Sequence, residues 1–300
     1  MRIGCGMTLS LLTLAASSLA LAREDRTFDK TVAAQPRGVV DISNVAGSIE
    51  VSGWDRQEVS VHAEIGAEVE RVDVSSEGGR TTIRVVLPSH TSGQGEAELR
   101  VQVPRGSELD VSAVSADLRV RGVLGVERLN AVSGDVTAEL GDADVEAKTV
   151  SGELRLKGHG AAVRLHVSSV SGDVRLEHGA GDFEGSTVSG TLQVSLDSAS
   201  SIRARSTSGD LRLEAKLAHG ATVEASSVSG DVSVRAGAEA GGFSYEVSSF
   251  SGEITDCFDT KAERTGRYMP GSKLEGTRGE GAGHIRIKTM SGDVQLCDRS

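Results

Sequence analysis

Beyond Ala113, apolar and polar residues alternate with a period of two, and the alternation slips by one residue at regular intervals. Around Gly172, Val163, Leu165, Val167 and Ser169 share one phase, and Val170, Gly172, Val174 and Leu176 share the next. Around Gly230 the same slip separates Val223, Ala225 and Ser227 from Val228, Gly230, Val232 and Val234. Period two predicts strands whose alternate side chains face a core. The slip predicts a corner just before each Ser-Gly, with two adjacent residues, such as Ser169 and Val170, both pointing inward.

The corner recurs as a motif. Ala131-Val132-Ser133-Gly134-Asp135-Val136 is repeated, with small changes, from Thr149, Ser169, Thr187, Ser206, Ser227, Ser249 and Thr289. Val114-Ser115-Ala116-Asp117 and Val45-Ala46-Gly47-Ser48 are degenerate copies. The motif glycines are Gly134, Gly152, Gly172, Gly190, Gly209, Gly230, Gly252 and Gly292, spaced 18, 20, 18, 19, 21, 22 and 40 residues apart. A period near twenty without a helical pattern predicts an all-β, single-domain parallel β-solenoid of about 18–22 residues per coil. The first corner position is always Ala, Ser or Thr, because two walls converge there. Stacked hydroxyls are expected to hydrogen-bond along the column. The glycine lets the backbone bend or approach the interior without a Cβ.

Outward positions form columns as well. One is acidic: Asp117, Asp135, Glu153, Asp173, Asp210, Asp231, Glu253 and Asp293, interrupted by Thr191. Two residues further on, Arg119, Arg155, Arg175 and Arg212 share its face and offset the repulsion between stacked like charges. A calcium ladder is the competing reading, but the glycine-rich nonapeptide of calcium-binding β-rolls is absent. A solvated face laced with ion pairs is favoured.

Four segments follow. Residues 1–22 read as a secretory signal peptide, with an apolar stretch from Leu9 to Leu21 ending at Ala20-Leu21-Ala22 before Arg23-Glu24-Asp25. An uncleaved N-terminal anchor is the alternative. Residues 23–112 keep period-two stretches, Val59 to Ile65, Thr81 to Leu87 and Ala97 to Val103, with glycine-rich breaks between them. They read as a first coil around Gly47 and an irregular β-hairpin cap that covers the solenoid's open end, with a separate small β-sandwich as the alternative. Residues 113–256 are the regular repeats, and 257–300 form a C-terminal excursion and last coil.

Cys257 and Cys297 each lie five residues after a motif glycine, so they hold the same position in two repeats. In adjacent coils they would stand about 4.8 Å apart, within reach of a disulfide. That requires 258–284 to leave the solenoid; if this stretch formed its own coil, the separation would be about 9–10 Å and the bond would be forbidden.

Charge and composition narrow the function. The net charge is −11, and loss of 1–22 removes only Arg2 and leaves −12, which disfavours nucleic acid as a partner. No segment after the leader is apolar enough to span a membrane. One Trp and two Tyr leave little for stacking on sugars or bases.

The repeated Val-Ser-Gly-Asp-Val, the early Gly53-Trp54-Asp55 and the late Cys257 and Cys297 resemble the bacterial DUF4097 family, whose members carry the label adhesin. The resemblance covers nearly all of the chain after the leader. It implies a β-solenoid exported to the cell envelope, and it brings no catalytic residues with it.

No phosphate loop, Gly-x-Ser-x-Gly elbow, His-Glu-x-x-His or Cys-x-x-Cys is present in the sequence. His159, His178 and His219 lie near the variable edge beside glycines; turn histidines are favoured over a shared metal site. No cofactor and no metal are expected. The sequence therefore predicts a non-enzymatic envelope or surface protein, in the periplasm or on the cell surface, that presents a rigid β-face to a protein or polysaccharide ligand. A β-helix enzyme acting on polysaccharide and a self-assembling structural element are the alternatives.

Overall fold

A computed structural model describes residues 26–88, 95–238, 241–258, 263–264 and 271–298. The signal-peptide reading of 1–22 lies outside the described residues, as do Arg267 and Pro270 of the C-terminal excursion.

Among the described residues all regular structure is strand, joined in one sheet of 22 members. In the N-terminal part these are β1 (Arg26–Ala33), β2 (Val39–Trp54), β3 (Glu58–Ile65), β4 (Arg71–Glu77), β5 (Arg80–Val86), β6 (Glu96–Pro104) and β7 (Glu108–Arg121). The repeats supply β8 (Glu127–Ser133), β9 (Val136–Glu139), β10 (Val145–Ser151), β11 (Leu154–Lys157), β12 (Ala162–Ser169), β13 (Val174–Thr187), β14 (Leu192–Ser206), β15 (Leu211–Ser229) and β16 (Val232–Ala238). The C-terminal part holds β17 (Phe243–Ser251), β18 (Ile254–Asp256), β19 (Glu263–Arg264), β20 (Ser272–Arg278), β21 (Gly283–Ser291) and β22 (Val294–Cys297).

From Ala131 to Ser227 each repeat pairs in parallel with the next. Upstream of the corner, Ala131, Thr149, Ser169, Thr187, Ser206 and Ser227 are successive register partners. Downstream, Leu118, Val136, Leu154, Val174, Leu192, Leu211 and Val232 are partners in the same way. These residues and their period-two neighbours form one continuous apolar core. The small corner residues are buried too, with Thr149, Ser169, Thr187, Ser206, Ser227, Ser249 and Thr289 all at most 7% exposed.

Two expectations about the corner are corrected. Val170 and Val228 point outward, at 42% and 49% exposure, so the slip consists of two adjacent outward residues, Val and Ser, with inward packing resumed at the glycine. Ser169 takes the inner side of the corner, its hydroxyl bonded back to Gly172, and Val170 is left on the outer side. The corner hydroxyls also do not bond one another along their column, although Ser249 Oγ donates to the Gly292 carbonyl of the adjacent rung at 3.4 Å. Ser169 Oγ accepts from Gly172 N at 2.9 Å and donates to Gly172 O at 2.7 Å, and Ser206 Oγ accepts from Gly209 N at 2.8 Å. The hydroxyls of Thr149, Thr187, Ser227 and Thr289 are buried without a hydrogen-bond partner among the described residues.

At the N-terminal end, β2 stacks in parallel on β7, with Gly47 opposite Ala116. The other edge of β2 is covered by β5 over Val39–Ser43 and by β6 over Ala46–Trp54. Antiparallel strands β4, β3 and β1 continue outward from there. Lys30 and Arg26 on β1 donate to the carbonyls of Val74 and Val69, charged residues on edge strands being a usual defence against edge pairing.

The C-terminal end departs from chain order. β15 pairs with β21, and β17 pairs with the other side of β21, so the last repeat in sequence lies between its two predecessors. The downstream strands follow the same order, β16, β22, β18. The described part of the segment expected to leave the stack forms no rung between the cysteine-bearing repeats; its strand β20 runs antiparallel along the outer edge of β17. Cys257 and Cys297 are joined by a disulfide, with Cα atoms 4.8 Å apart. That separation excludes an intervening coil.

Candidate functional site

The corner is built by its glycines. A Cβ on Gly172 would stand 1.8 Å from the Gly152 carbonyl oxygen, and one on Gly209 would stand 1.9 Å from that of Gly190. The rungs touch backbone to backbone at this column, where a side chain would separate them. The column runs in spatial order through Gly230, Gly292 and Gly252.

The acidic column is bonded to the backbone. Asp117 accepts from Asp135 N and Asp135 accepts from Glu153 N, each at 3.0 Å. Asp173 accepts from Thr191 N at 2.7 Å, and Asp210 accepts from Asp231 N at 3.2 Å. Asp231 then accepts from Asp293 N at 2.9 Å and Asp293 from Glu253 N at 2.8 Å. Each carboxylate thus caps an amide that the turn leaves unpaired in the ladder. The Glu153 amide, first, and the Arg155 guanidinium hold Asp135 below the usual carboxylate range, against the opposing effect of burial. Arg155 also pairs with Glu153, Arg212 with Asp210 at 2.9 Å, and Arg175 with Glu177 at 2.7 Å. Among the described residues no group of carboxylates, histidines or cysteines has the arrangement of a metal site. His159 pairs with Asp142 and His178 with Asp197, so these two histidines do not converge.

A charged column on the upstream wall escaped the sequence reading. In spatial order its members are Asp110, Arg128, Glu146, His166, Glu184, Arg203, Glu224, Arg286 and Glu246. From Glu184 the signs alternate strictly. Arg286 bonds Glu246 at 3.1 Å, and Arg203 pairs with Glu224 at 3.5 Å. The alternation is invisible in chain order, because Arg286 follows Glu246 in the sequence.

The valine of the motif forms an outward apolar stripe. Its members in spatial order are Val45, Val114, Val132, Val150, Val170, Val188, Thr207, Val228, Met290 and Phe250. The nine apolar members are between 37% and 61% exposed. At the N-terminal end the stripe borders a groove of about 670 Å³, whose other side is Ser112, Asn130, Lys148 and Ser168. A second, polar groove of about 580 Å³ lies on the downstream wall between Gln193, Ser195, Arg212, Glu214, Ser233, Arg235 and Gln295.

Glu127 is the one carboxylate among the buried polar residues described, which also include Asn44, Thr81 and Ser107. It is 0% exposed, sits between Leu109 and Val145 in register, and neither carboxyl oxygen has a hydrogen-bond partner. Burial pushes its carboxyl up to about 8.

Stacked backbone at a glycine corner, amide-capping aspartates and outward columns together define an all-β repeat protein with a fixed corner chemistry. Over residues 39–297 the chain matches the family described as Toastrack DUF4097, and it belongs to that family. No curated protein matches it. Similar solved structures include a Bacteroides fragilis protein provisionally labelled an adhesin (11% identity, 90% of this chain and 97% of that one, TM-score 0.42). A Parabacteroides distasonis protein provisionally labelled lipid-binding is 11% identical over 91% of this chain and 98% of its own, with a TM-score of 0.39. A Clostridium sporogenes protein provisionally labelled a cell adhesion protein is 9% identical over 92% of this chain and all of its own, with a TM-score of 0.24.

Proposed function

We propose that this chain is an exported, non-enzymatic β-solenoid that holds a rigid outward face to a polar linear polymer of the cell envelope. The parallel registers at a spacing near twenty residues support the solenoid, and the same reading divides the chain into leader, cap, regular repeats and terminal unit at residues 22, 112 and 256. The observation that carries the function is the polar groove over Arg212, Glu214 and Arg235. Its donors and acceptors recur at the rung spacing of about 4.8 Å, which suits a ligand with many similar hydroxyl or carboxyl groups along its length. Polysaccharide fits that description. The outward residues repeat from rung to rung, whereas a catalytic centre needs a local acid–base pair of unlike environments.

The test is incubation of the purified chain with cell-wall and capsule polysaccharides, read both as binding and as chain length of the glycan. Binding without shortening, lost in Arg212→Ala/Arg235→Ala, is the expected result. Release of shorter glycan would replace this reading with a β-helix enzyme. Protease shaving of intact cells then separates periplasm from surface.

A further inference from the structure

The apolar stripe is not explained by the stack it stands on, because its apolar side chains leave the core and keep 37–61% of their surface exposed. Soluble chains scatter single exposed apolar residues, and a contiguous row marks a covered surface. The row is one residue wide, and a hydroxyl residue follows it in most rungs, as in Val132-Ser133, Val150-Ser151, Val170-Ser171 and Val188-Ser189. Ten rungs at about 4.8 Å make it roughly 45 Å long.

What covers such a row must match its repeat. A second copy of this chain carries apolar side chains at the identical spacing, so that two rows interlock rung for rung as identical side chains do in paired β-sheets. With its flanking columns, about 7 Å away on either side, the strip measures roughly 45 by 14 Å, or about 600 Å² per copy. The total of about 1,200 Å² reaches the lower bound of specific protein interfaces.

The flanks also set the orientation. Upstream of the valine lie Lys148, Arg205 and Lys288, and downstream in the same three rungs lie Glu153, Asp210 and Asp293. Lys148 and Arg205 already pair within the chain with Glu146 and Glu184, yet their side chains remain 48% and 60% exposed. A two-fold axis parallel to the stack lays the basic flank of one copy over the acidic flank of the other at equal height. An axis across the stack would set basic on basic and acidic on acidic.

We propose that the valine stripe is a self-association face, on which two copies meet with their stacks parallel and each rung opposite its own counterpart. The pairing is isologous and closes as a dimer. It does not rest on the proposed ligand, whose groove lies on the downstream wall.

Sedimentation equilibrium of the purified chain with its disulfide intact is the test. The expected result is a dimer at tens of micromolar, with the dissociation constant weakened at least 100-fold in Val150→Lys/Val188→Lys and at least 10-fold in Lys148→Glu/Arg205→Glu. All four positions are exposed, so melting temperatures measured beside them should stay near that of the parent and separate lost association from lost folding. Val132→Cys and Val228→Cys, each alone, should crosslink to their own kind with a short bis-maleimide. A parent chain that is monomeric at 100 µM, or a dimer indifferent to the lysine pair, would overturn the proposal. Crosslinking seen only when the two cysteine variants are mixed would overturn the parallel orientation. A monomer whose glycan binding is lost in Val150→Lys/Val188→Lys would give the stripe to a ligand instead.

Discussion

The backbone amide of Asp293 donates to the carboxylate of Asp231, sixty-two residues before it in the chain, and its own carboxylate accepts from Glu253. Asp293 therefore stands between two residues that follow one another by a single repeat in sequence. A stack in chain order would also keep the glycines, corner hydroxyls and aspartates in register, so these do not choose between the two orders. The charged column does: chain order would set Glu224 against Glu246, and the observed order puts Arg286 between them. Arg286→Glu should therefore lower stability by about 1 kcal/mol at low ionic strength, and by less in high salt. Thermal melts of parent and variant at two salt concentrations check this; equal losses at both would show that charge does not set the order.

The corner should tell inside from outside by one residue. Ser227 is 6% exposed, whereas Ser229 is exposed. Ser227→Leu should overpack the corner at a cost of about 1–3 kcal/mol, and Ser229→Leu should cost much less. Urea unfolding midpoints of the two variants decide the matter, and a reversed ranking would refute the assignment.

Most motif glycines combine a positive φ with a close backbone approach, but at Gly172 space alone decides. Gly172 has no left-handed φ, but a Cβ there would meet the Gly152 carbonyl at 1.8 Å; Gly160 has φ 87° and open space around it. Gly172→Ala should cost about 3 kcal/mol or more, since neither backbone can retreat without parting the rungs. Gly160→Ala should cost about 1–2 kcal/mol, the penalty of the left-handed conformation alone. The same unfolding measurement separates them.

Glu127 makes stability fall as pH rises. Its folded carboxyl titrates near 8 rather than at its ordinary value of 4.5, so between those values the folded chain holds a proton that the unfolded chain has lost. The contribution is complete below about pH 4.5 and is lost progressively up to about pH 8, to an extent on the order of 3–5 kcal/mol. Other carboxylates, such as Asp135, work in the opposite direction, so the measurement is the difference between the parent and Glu127→Leu across this range. Leucine suits the column, which has Leu109 on one side. The variant should gain on the parent with each step upward in pH; a constant difference would show that Glu127 is ionised in the folded chain.

The disulfide ties the inserted rung to its outer neighbour across a sequence separation of 40 residues. The chain-entropy model gives about 4 kcal/mol for a loop of that size. Cys257→Ser/Cys297→Ser should lose stability on that scale, and neither Cys257 nor Cys297 of the parent should react with a thiol reagent when it is denatured without reductant. Labelling of both would refute the bond.

Much of this architecture is written in local sequence, because a period-two pattern with a repeated small-x-Ser-Gly corner leaves few packings. Ser169, Ser227 and their equivalents could be placed inward from their size alone. Val170 could not, since a valine reads as core until the corner's width is known, and that width depends on the neighbouring rung. The insertion of β21 was equally hidden: pairing depends on which edges meet, and the motif around Gly292 fits either edge of the motif around Gly252. Arg286 between two glutamates was the available signal, but it becomes legible only when Glu224, Glu246 and Arg286 are aligned by distance from their glycines. Glu127 was missed because its neighbours Val126 and Arg128 make it look like one more surface charge at the mouth of a strand.

The inserted rung also governs how such a chain can grow in evolution. Duplicating a unit between Gly134 and Gly209 adds a storey in which each strand still follows its predecessor, and it lengthens the valine stripe by one residue. Duplicating the last unit does not, because its copy would need a second slot in a closing piece whose two outer rungs are bridged by Cys257 and Cys297. The geometry therefore lets length change in the middle of the chain without disturbing the three units that close it.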